Sequence, residues 1–428
     1  MTNADVSQIE HALYLDSCDP LREFRNEFDI ADQNTIYLDG NSLGRRPLKI
    51  LDSLNHVIKH EWGNRLIRSW NENWIKRSTE VAEQLAVLVG AQADEILVAD
   101  STSVNLFKLA IAAIKSESER KKIISDTLNF PSDLYIIQGI QELLDSGYHI
   151  ELVPTEDDIQ LDENNLISVL DRSTAFVTLS LVSFKSAYLY DLRSITKHVH
   201  ECGAVICWDL SHATGAVPID LNGSDVDMAI GCTYKYLNGG PGSPAFIYIR
   251  KDLQDKYTSP VWGWFGAQNP FRFDLEYSPA TGIQRFSAGT PPILSLSTLS
   301  PALEIINRAG MERIRKKSSD QTELLIKLYD LWLKPLGFSL GSPREIERRG
   351  SHISIRHNEG YRICQALIHP KDCDLVVIPD FRNPDYIRLG IAPLYTSFED
   401  IFRAMDRIRT IMEREIFMRY SPKPLGVT

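Results

Sequence analysis

The chain has 428 residues, of which 43% are hydrophobic, a length and composition that allow a large buried core and indicate two or three structural lobes. Lysine and arginine number 46 against 57 acidic residues, which gives a formal net charge of -11. This acidic balance argues against a nucleic acid or a membrane surface as partner and favours a small-molecule substrate.

No targeting segment is evident at the N-terminus. Residues 1–20 lack a basic region leading into an apolar stretch, and no apolar run approaches the roughly 20 residues of a membrane span. The six cysteines are scattered without a C-x-x-C pair, which is typical of reduced thiols and not of disulfides or a zinc site. We therefore expect a cytoplasmic protein without a membrane partner.

Helical and strand-like apolar patterns alternate as far as residue 249. Helical spacing occurs at residues 81–89, 104–114 and 195–202. Short apolar runs typical of buried strands occur at 95–98, 122–125, 175–179, 204–209, 228–232 and 245–249. The alternation predicts an α/β fold in which crossover helices join mostly parallel strands.

A stretch rich in proline and glycine at residues 259–292 ends this alternation. Beyond it the pattern predicts a long helix from residue 295 to about 332, strands near 351–356 and 374–378, and a closing helix from Ser397. We predict three parts: an N-terminal segment, 1–60, that packs with the small domain; a large domain, 61–294; and a small α+β domain, 295–428.

Two charged residues follow predicted strands. Asp209 ends the apolar run 204–208, and Lys235 follows the run 228–232 and precedes the glycine-rich turn 239–242. Ligands of open α/β sheets gather at the carboxyl ends of the strands. Alone, Asp209 is more typical of a helix N-cap and Lys235 of a surface lysine. As a pair, 26 residues apart (235 minus 209), they form the arrangement that pyridoxal phosphate requires.

The chemistry of pyridoxal phosphate explains that requirement. The cofactor acts as an electron sink when its ring nitrogen is protonated, and a carboxylate such as Asp209 stabilises that proton. Its aldehyde needs an amine that exchanges with the substrate amine and then moves protons, a role that suits Lys235. The sequence thus predicts that Lys235 carries the cofactor as a Schiff base.

The segment 100–105 (DSTSVN) opens the predicted helix 104–114 after a strand. Thr102 and Ser103 there fit a phosphate cradle at a helix N-terminus, although an ordinary serine and threonine cap explains the segment equally well. Phe130 and Asp133, in the segment 130–133 (FPSD), offer an aromatic face for the pyridine ring and a second acid, or a simple turn.

Two other ligand classes fit the spacing poorly. His198, His200 and Cys202 match no metal-ligand template, so we predict no metal site. The turn 239–242 (GGPG) has neither the Gly-Lys-Ser ending of a P-loop nor the G-x-G-x-x-G of a dinucleotide site.

Read in order, these segments and several others resemble kynureninase, a pyridoxal-phosphate enzyme of the aspartate-aminotransferase fold group. The resemblance covers most of the chain. The most specific motifs are 208–215 (WDLSHATG) and 234–242 (YKYLNGGPG). Supporting motifs are 38–44 (LDGNSLG), 61–63 (EWG), 66–70 (LIRSW), 130–133 (FPSD), 263–266 (GWFG), 289–293 (GTPPI), Arg388 and 392–395 (APLY).

The resemblance implies a type I fold with a seven-stranded, mostly parallel sheet flanked by helices. It implies that Lys235 bears the cofactor, Asp209 meets the ring nitrogen, Phe130 stacks on the ring, and His212 and Asp133 line it. The phosphate side is assigned to Thr102, Ser103, Ser180 and Tyr234. Arg388, Asn41 and Trp62 are assigned to the substrate, with Arg388 on its α-carboxylate. Trp264 and Thr290 are expected to reach the site from the second subunit of a homodimer with shared active sites.

The activity implied is hydrolysis of L-kynurenine to anthranilate and L-alanine, with Tyr234 as the proton-delivering acid. Leu181 stands where the family commonly has histidine, and Ser186 with Ala187 replaces a pair that ends in glycine. Trp62 and Thr290 resemble bacterial members that prefer kynurenine over its 3-hydroxy form. An aminotransferase, a cysteine desulfurase using Cys364 or Cys373, and a non-catalytic homologue remain alternatives.

Overall fold

The computed structural model describes residues 6–117, 119–144 and 147–423. Its strands are β1 (Thr35–Tyr37), β2 (Ile96–Val98), β3 (Lys122–Asp126), β4 (His149–Val153), β5 (Thr174–Ser180), β6 (Val205–Asp209), β7 (Met228–Gly231), β8 (Phe246–Ile249), β9 (Ser339–Leu340), β10 (His352–Arg356), β11 (Val376–Ile378), β12 (Asp380–Arg382) and β13 (Tyr386–Gly390).

The α-helices are α1 (Ile9–Ser17), α2 (Lys49–His56), α3 (Ile75–Val89), α4 (Thr102–Ser116), α5 (Pro131–Leu144), α6 (Glu163–Ser168), α7 (Leu192–Glu201), α8 (Ile293–Ala309), α9 (Met311–Leu328), α10 (Gly360–Ile368) and α11 (Phe398–Glu413). Two π-helical segments, Val57–Arg65 and Trp70–Trp74, lie between α2 and α3.

The large sheet has seven strands in the order β2, β8, β7, β6, β5, β3, β4. All run in one direction except β8, which is antiparallel to both of its neighbours. The predicted seven-stranded, mostly parallel sheet is therefore confirmed. Strands such as β5, β6 and β7 are buried along their whole length, which explains why they appear in the sequence as continuous apolar runs.

Each face of this sheet is covered by its own hydrophobic core. Ile206 and Trp208 of β6 belong to one core, and Val205 and Cys207 belong to the other. Successive side chains of a strand point to opposite faces, so one short run supplies both cores. Helices pack on both faces, and the carboxyl edge of the sheet remains open between them.

The C-terminal part contains a four-stranded antiparallel sheet in the order β12, β13, β10, β9. Its core also takes in Ala12 and Ile36 from the N-terminal segment, and β1 pairs in parallel with β11. The Asp16 carboxylate accepts 2.8 Å hydrogen bonds from the first backbone N–H groups of α11, those of Phe398 and Glu399. These contacts join the N-terminal segment to the small sheet.

The long helix predicted after residue 295 is interrupted in the structure. The single helix predicted from 295 to about 332 is two helices, α8 and α9, which are separated at Gly310 with φ +80. Glycine reaches this left-handed φ without steric cost, and the helical apolar pattern resumes beyond it. Leu296 and Leu299 of α8 share a core with Leu85 of the large domain. The three-part division itself stays a prediction.

Candidate active site

Several parallel strands of the large sheet end at one cavity of about 380 Å³. Asp209 ends β6, and Lys235 follows β7, its hydrogen-bonded neighbour in the sheet. The lining comprises Asp100, Ser101, Thr102, Ser103, Phe130, Ser132, Asp133, Asp209, Ser211, Cys232, Tyr234, Lys235, Gly242, Ser243 and Ala245. Seven of the predicted site residues therefore meet here: Thr102, Ser103, Phe130, Asp133, Asp209, Tyr234 and Lys235.

The two acids in this cavity have different hydrogen bonding. Asp209 Oδ1 accepts from the backbone N–H and the hydroxyl of Ser211, at 2.8 and 2.6 Å. Burial raises the pKa of Asp209, while Lys235 and Ser211 oppose that rise. Asp133 Oδ2 has no partner among the described residues, and burial, followed by the Asp209 charge, raises the pKa of Asp133 well above its usual range. Of the two acids, Asp209 therefore has more groups that stabilise its carboxylate form.

Lys235 lies between aromatic rings and an imidazole. Its Nζ is 2.9 Å from Nε2 of His212, 5.8 Å from the ring centre of Phe130 and 5.9 Å from that of Tyr234. Burial, together with the charges of Lys235 and Arg388, holds the pKa of His212 well below its usual range, so this imidazole is neutral. The aromatic ring of a ligand bound between Phe130 and the strand ends would therefore contact the Lys235 amine.

The first residues of α4 also line the cavity. Ser101 caps this 15-residue helix by accepting a 3.4 Å hydrogen bond from the Val104 N–H, and Thr102 and Ser103 are its first residues. The Ser103 hydroxyl is 2.8 Å from that of Ser132. Free N–H groups and the positive end of the helix dipole favour a phosphate here.

Ser180 lies beside Asp209, since the two are paired in the register of β5 and β6. The Ser180 hydroxyl donates to Asn129 Oδ1 at 2.8 Å and also helps to lower the pKa of Asp209. The role predicted for Ser180 on the phosphate side stays a prediction. Nearby, Ala187 has φ +65, which explains why glycine suits that position better.

Arg388 lies in the small sheet with only 1% of its surface exposed. Its Nη1 donates to the Phe184 carbonyl at 2.6 Å, and its Nη2 donates to Ser42 Oγ at 2.8 Å and forms an ion pair with Asp380. Asn41 is fully buried against Gly390, and neither of its side-chain polar atoms has a partner among the described residues. Arg388, Asn41 and His212 lie outside the cavity lining given above.

Three further predicted residues, Trp62, Trp264 and Thr290, are absent from the cavity lining and lie at the surface of the chain. Trp62, on the π-helical segment Val57–Arg65, is 56% exposed, and Thr290 is also exposed. Trp264 is 39% exposed and lines a separate surface groove with Phe273. A role for these residues stays a prediction that depends on a second subunit.

Several contributors were missed by the sequence interpretation. Ser211 holds Asp209, Asn129 holds Ser180, Ser132 contacts Ser103, and Asp380 pairs with Arg388. The position of Ser211, two residues after a strand-end acid, was the available signal, because a short hydroxyl there reaches the carboxylate. Asp380 has no such signal, since it contacts Arg388 from the neighbouring strand.

Within residues 6–117, 119–144 and 147–423, no group of three or more His, Cys, Asp or Glu side chains could hold a metal ion. Over the same residues, no helix combines the length and apolar character needed to cross a membrane.

The kynureninase C-terminal domain family model matches residues 314–408. Kynureninase of Pseudomonas fluorescens is 42% identical over 408 residues, which cover 94% of this chain and 95% of the relative. Kynureninase of Burkholderia mallei (strain SAVP1) is 40% identical over 411 residues, which cover 95% and 96%.

Two solved structures share the fold at low sequence identity. Apo cysteine desulfurase from Thermococcus onnurineus NA1 superposes with a TM-score of 0.77 at 18% identity and covers 92% of this chain and 98% of that one. A C-DES variant with glycine covalently linked to its PLP cofactor has a TM-score of 0.78 at 18% identity, with 90% and 98% covered. The likeness shows the fold class predicted from the sequence.

Proposed function

The chain belongs to the kynureninase family, and on that premise we propose that it hydrolyses L-kynurenine to anthranilate and L-alanine with pyridoxal phosphate in the cavity at the sheet edge. The observation that carries the proposal is the meeting of Asp209, Lys235, Phe130 and the α4 N-terminus in one cavity of about 380 Å³. This volume, with an aromatic face and many polar groups that converge on it, suits a polar cofactor of small-molecule size.

The residues present fit the cofactor at both of its ends. Thr102 and Ser103 would hold the phosphate through the first turn of α4, and Phe130 would stack on the ring. The buried Asp209 carboxylate, held by Ser211 at 2.6 Å, would stabilise a protonated ring nitrogen. When bound, pyridoxal phosphate supplies an electron sink for charge that develops on the substrate.

The protons of the reaction are assigned to two neighbouring residues. The Lys235 amine would hold the cofactor aldehyde, exchange with the substrate amine and then remove the α-proton. Burial raises the pKa of Tyr234 well above its usual range, so its phenol keeps a proton to donate at neutral pH. His212, neutral and 2.9 Å from Lys235 Nζ, would accept from or donate to that amine.

We assign the substrate's α-carboxylate to Arg388, whose planar guanidinium suits bidentate recognition. The carboxylate would replace the Phe184 carbonyl, which now accepts the Nη1–H at 2.6 Å. Asn41, which lies beside Gly390 and whose side-chain polar atoms have no partner among the described residues, would contact the same end of the substrate.

A homodimer with shared active sites completes the proposal. Trp62, Trp264 and Thr290 are exposed in one chain and would reach the cavity of a second copy. Their large exposed apolar neighbours, such as Phe273, would be covered by that contact. Cytoplasmic location and a preference for kynurenine over its 3-hydroxy form are part of the same proposal.

Neither Cys364 nor Cys373, the two candidates for a desulfurase nucleophile, suits that role. Cys364 is fully buried in α10, and burial raises its pKa well above the usual range, so it is an inert thiol. Cys373 is exposed but absent from the cavity lining. A non-catalytic role would leave the joint presence of Lys235, Asp209 and Arg388 unexplained.

The decisive experiment is an assay of protein purified with pyridoxal phosphate. We expect a cofactor absorption band that is lost in Lys235→Ala, and release of anthranilate from L-kynurenine. Lys251→Ala, which changes an exposed lysine paired with Asp94, is the matched control and should keep both properties. A protein that binds the cofactor but releases neither anthranilate nor, from the 3-hydroxy substrate, 3-hydroxyanthranilate would refute the substrate and leave the cofactor site standing.

A further inference from the structure

His352 is a buried polar residue for which the proposed function has no use. It opens β10, where it pairs in register with Gly390 of β13, and none of its side chain is exposed. Neither of its ring nitrogens has a well-formed hydrogen bond among the described residues, although the backbone carbonyls of Phe184 and Lys185 lie near enough to the ring to oppose the lowering of its pKa. A buried polar group without a well-formed partner costs up to about 1–3 kcal/mol, so a histidine kept in this place requires an explanation.

The nearest explanation is the neighbouring imidazole of His212. The two rings lie with their centres 5.8 Å apart and their planes tilted by 57°. An N–H···N bond between two imidazoles needs ring centres roughly 5 Å apart, from an N···N distance of about 3 Å and about 1.1 Å from each ring centre to its nitrogen. Nδ1 of His212 also lacks a partner among the described residues. A small rotation of either ring would therefore bring Nδ1 of His212 into hydrogen-bond contact with one nitrogen of His352.

The charges around this pair are cationic. Lys235 and Arg388 face both imidazoles, and Arg382 also acts on His212. With burial as the largest cause, these charges hold the pKa values of His212 and His352 well below the usual range. Both rings are therefore neutral, and each has one N–H donor and one bare nitrogen acceptor.

Because His212 is neutral, the nitrogen that carries its single proton determines how the ring interacts with Lys235. Nε2 of His212 is 2.9 Å from Nζ of Lys235, and a neutral ring places its single proton on either Nε2 or Nδ1. Whatever group meets Nδ1 decides this choice, because an acceptor there keeps the proton on Nδ1 and leaves Nε2 free to accept from the amine.

We propose that His352 is a positioning residue that forms a hydrogen bond with Nδ1 of His212. This bond fixes whether Nε2 of His212, the nitrogen that faces Lys235, is bare or protonated. The inference rests on the proposed function only for its effect on catalysis. The imidazole pair itself belongs to the polypeptide and exists without cofactor or substrate. His352 does not touch the reacting atoms and acts through His212.

The test uses three substitutions at His352 in the full chain. His352→Phe removes both nitrogens and fills the space with an apolar ring. His352→Asn and His352→Gln keep an amide near the Nδ1 and Nε2 positions, respectively, and one of them should restore the contact. His198→Phe, at an exposed histidine on α7 that pairs with Glu201, is the matched control.

Two measurements separate positioning from packing. In cofactor-free protein with ¹⁵N-labelled histidine, the His212 ring signals should show one tautomer in the parent, in His198→Phe and in one amide variant, and averaged tautomers in His352→Phe. In cofactor-loaded protein, His352→Phe should shift the pH midpoint of the cofactor absorption by about one pH unit and lower kcat about tenfold, with KM changed less than threefold.

Contrary results are equally definite. A folded His352→Phe variant that keeps a single His212 tautomer and the parental pH midpoint would overturn the proposal. A tenfold rise in KM with an unchanged midpoint would assign His352 to the substrate beside Arg388, against the proposal. If His352→Phe fails to fold, the same criteria apply to the two amide variants. Lack of anthranilate release by the parent would refute the proposed function, whereas the cofactor-free spectra would still decide the role of His352.

Discussion

Arg388 and Asp380 form an ion pair inside the protein, with 1% and 3% of their side chains exposed. Ser42 joins them, because its hydroxyl accepts from Arg388 Nη2 and donates to Asp380 Oδ2, each at 2.8 Å. Arg382 approaches the same Asp380 oxygen at 2.8 Å but is 41% exposed. Two arginines thus share one carboxylate, and only the buried one is assigned to the substrate.

Arg388→Lys should raise KM for L-kynurenine about 100-fold, with a smaller effect on kcat. An ammonium cannot reproduce the planar fork, and the loss of one bidentate contact corresponds to about 2–3 kcal/mol. Arg382→Lys is the control, since it alters the same Asp380 contact from the exposed side, and should keep KM within about threefold. Steady-state kinetics of both variants check the assignment, and equal KM values would contradict it.

Asp209→Asn should lower kcat at least about 100-fold, because a neutral amide does not stabilise a protonated ring nitrogen. Ser211→Ala removes one of the two hydrogen bonds to Asp209 Oδ1 and should lower kcat about tenfold. Ser243→Ala changes a hydroxyl of the same cavity that bonds Thr233 and should have little effect. Comparable losses in Ser211→Ala and Ser243→Ala would show that the contact with Asp209 is unimportant.

Thr102→Asp tests the phosphate end. An aspartate in the first turn suits the helix dipole, so Tm should not fall. The added charge should repel the phosphate and weaken the binding of pyridoxal phosphate about 100-fold, or about 2–3 kcal/mol, while pyridoxal without phosphate binds as before. Fluorescence titration of cofactor-free protein with both compounds measures this, and equal weakening of the two would place the phosphate elsewhere.

Asp39→Asn should alter the pH dependence of stability. Burial, followed by the nearby Asp380 charge, raises the pKa of Asp39 from its ordinary value to about 7. The folded state therefore holds a proton that the unfolded chain releases, so this contribution to stability is complete below about pH 4 and is lost as the pH rises to 7.

The Asp39→Asn variant lacks this titration. Its Tm should fall less than that of the parent between pH 4 and pH 8, by a few degrees. Asp52→Asn, at an exposed carboxylate on α2, should follow the parent curve. Parallel Tm curves for the parent and Asp39→Asn would indicate that Asp39 is ionised throughout.

The large sheet was predictable because β5, β6 and β7 are buried on both faces and form continuous apolar runs. β4 escaped notice, since this edge strand has exposed positions among its apolar ones. In the small sheet, the fully buried strand β13 contains Arg388, and nothing in its sequence distinguishes a buried arginine from a surface one.

The residues of the candidate site also fall into two groups: those that local sequence patterns predict, and those that the family resemblance alone predicts. Asp209, Lys235 and Phe130 were placed by the rule that ligands lie at strand ends, and all three line the cavity. Trp62, Trp264 and Thr290 came from the family resemblance alone, because no local pattern connects these exposed residues to the cavity. His352 went unnoticed because a histidine in a short apolar strand has no sequence signal for the imidazole that it meets through folding.

Asp209 ends β6, and Lys235 lies in the turn that follows β7, the hydrogen-bonded neighbour of β6, so the backbone of the large sheet places both residues. Neighbouring strands are about 4.8 Å apart in any sheet, whatever side chains cover its faces. The residues assigned to the substrate lie instead on other elements: Asn41 on a loop near the N-terminus and Arg388 on the small sheet. Mutation can therefore change the range of amino acids accepted while cofactor binding is inherited intact, a separation that favours the evolution of new specificities.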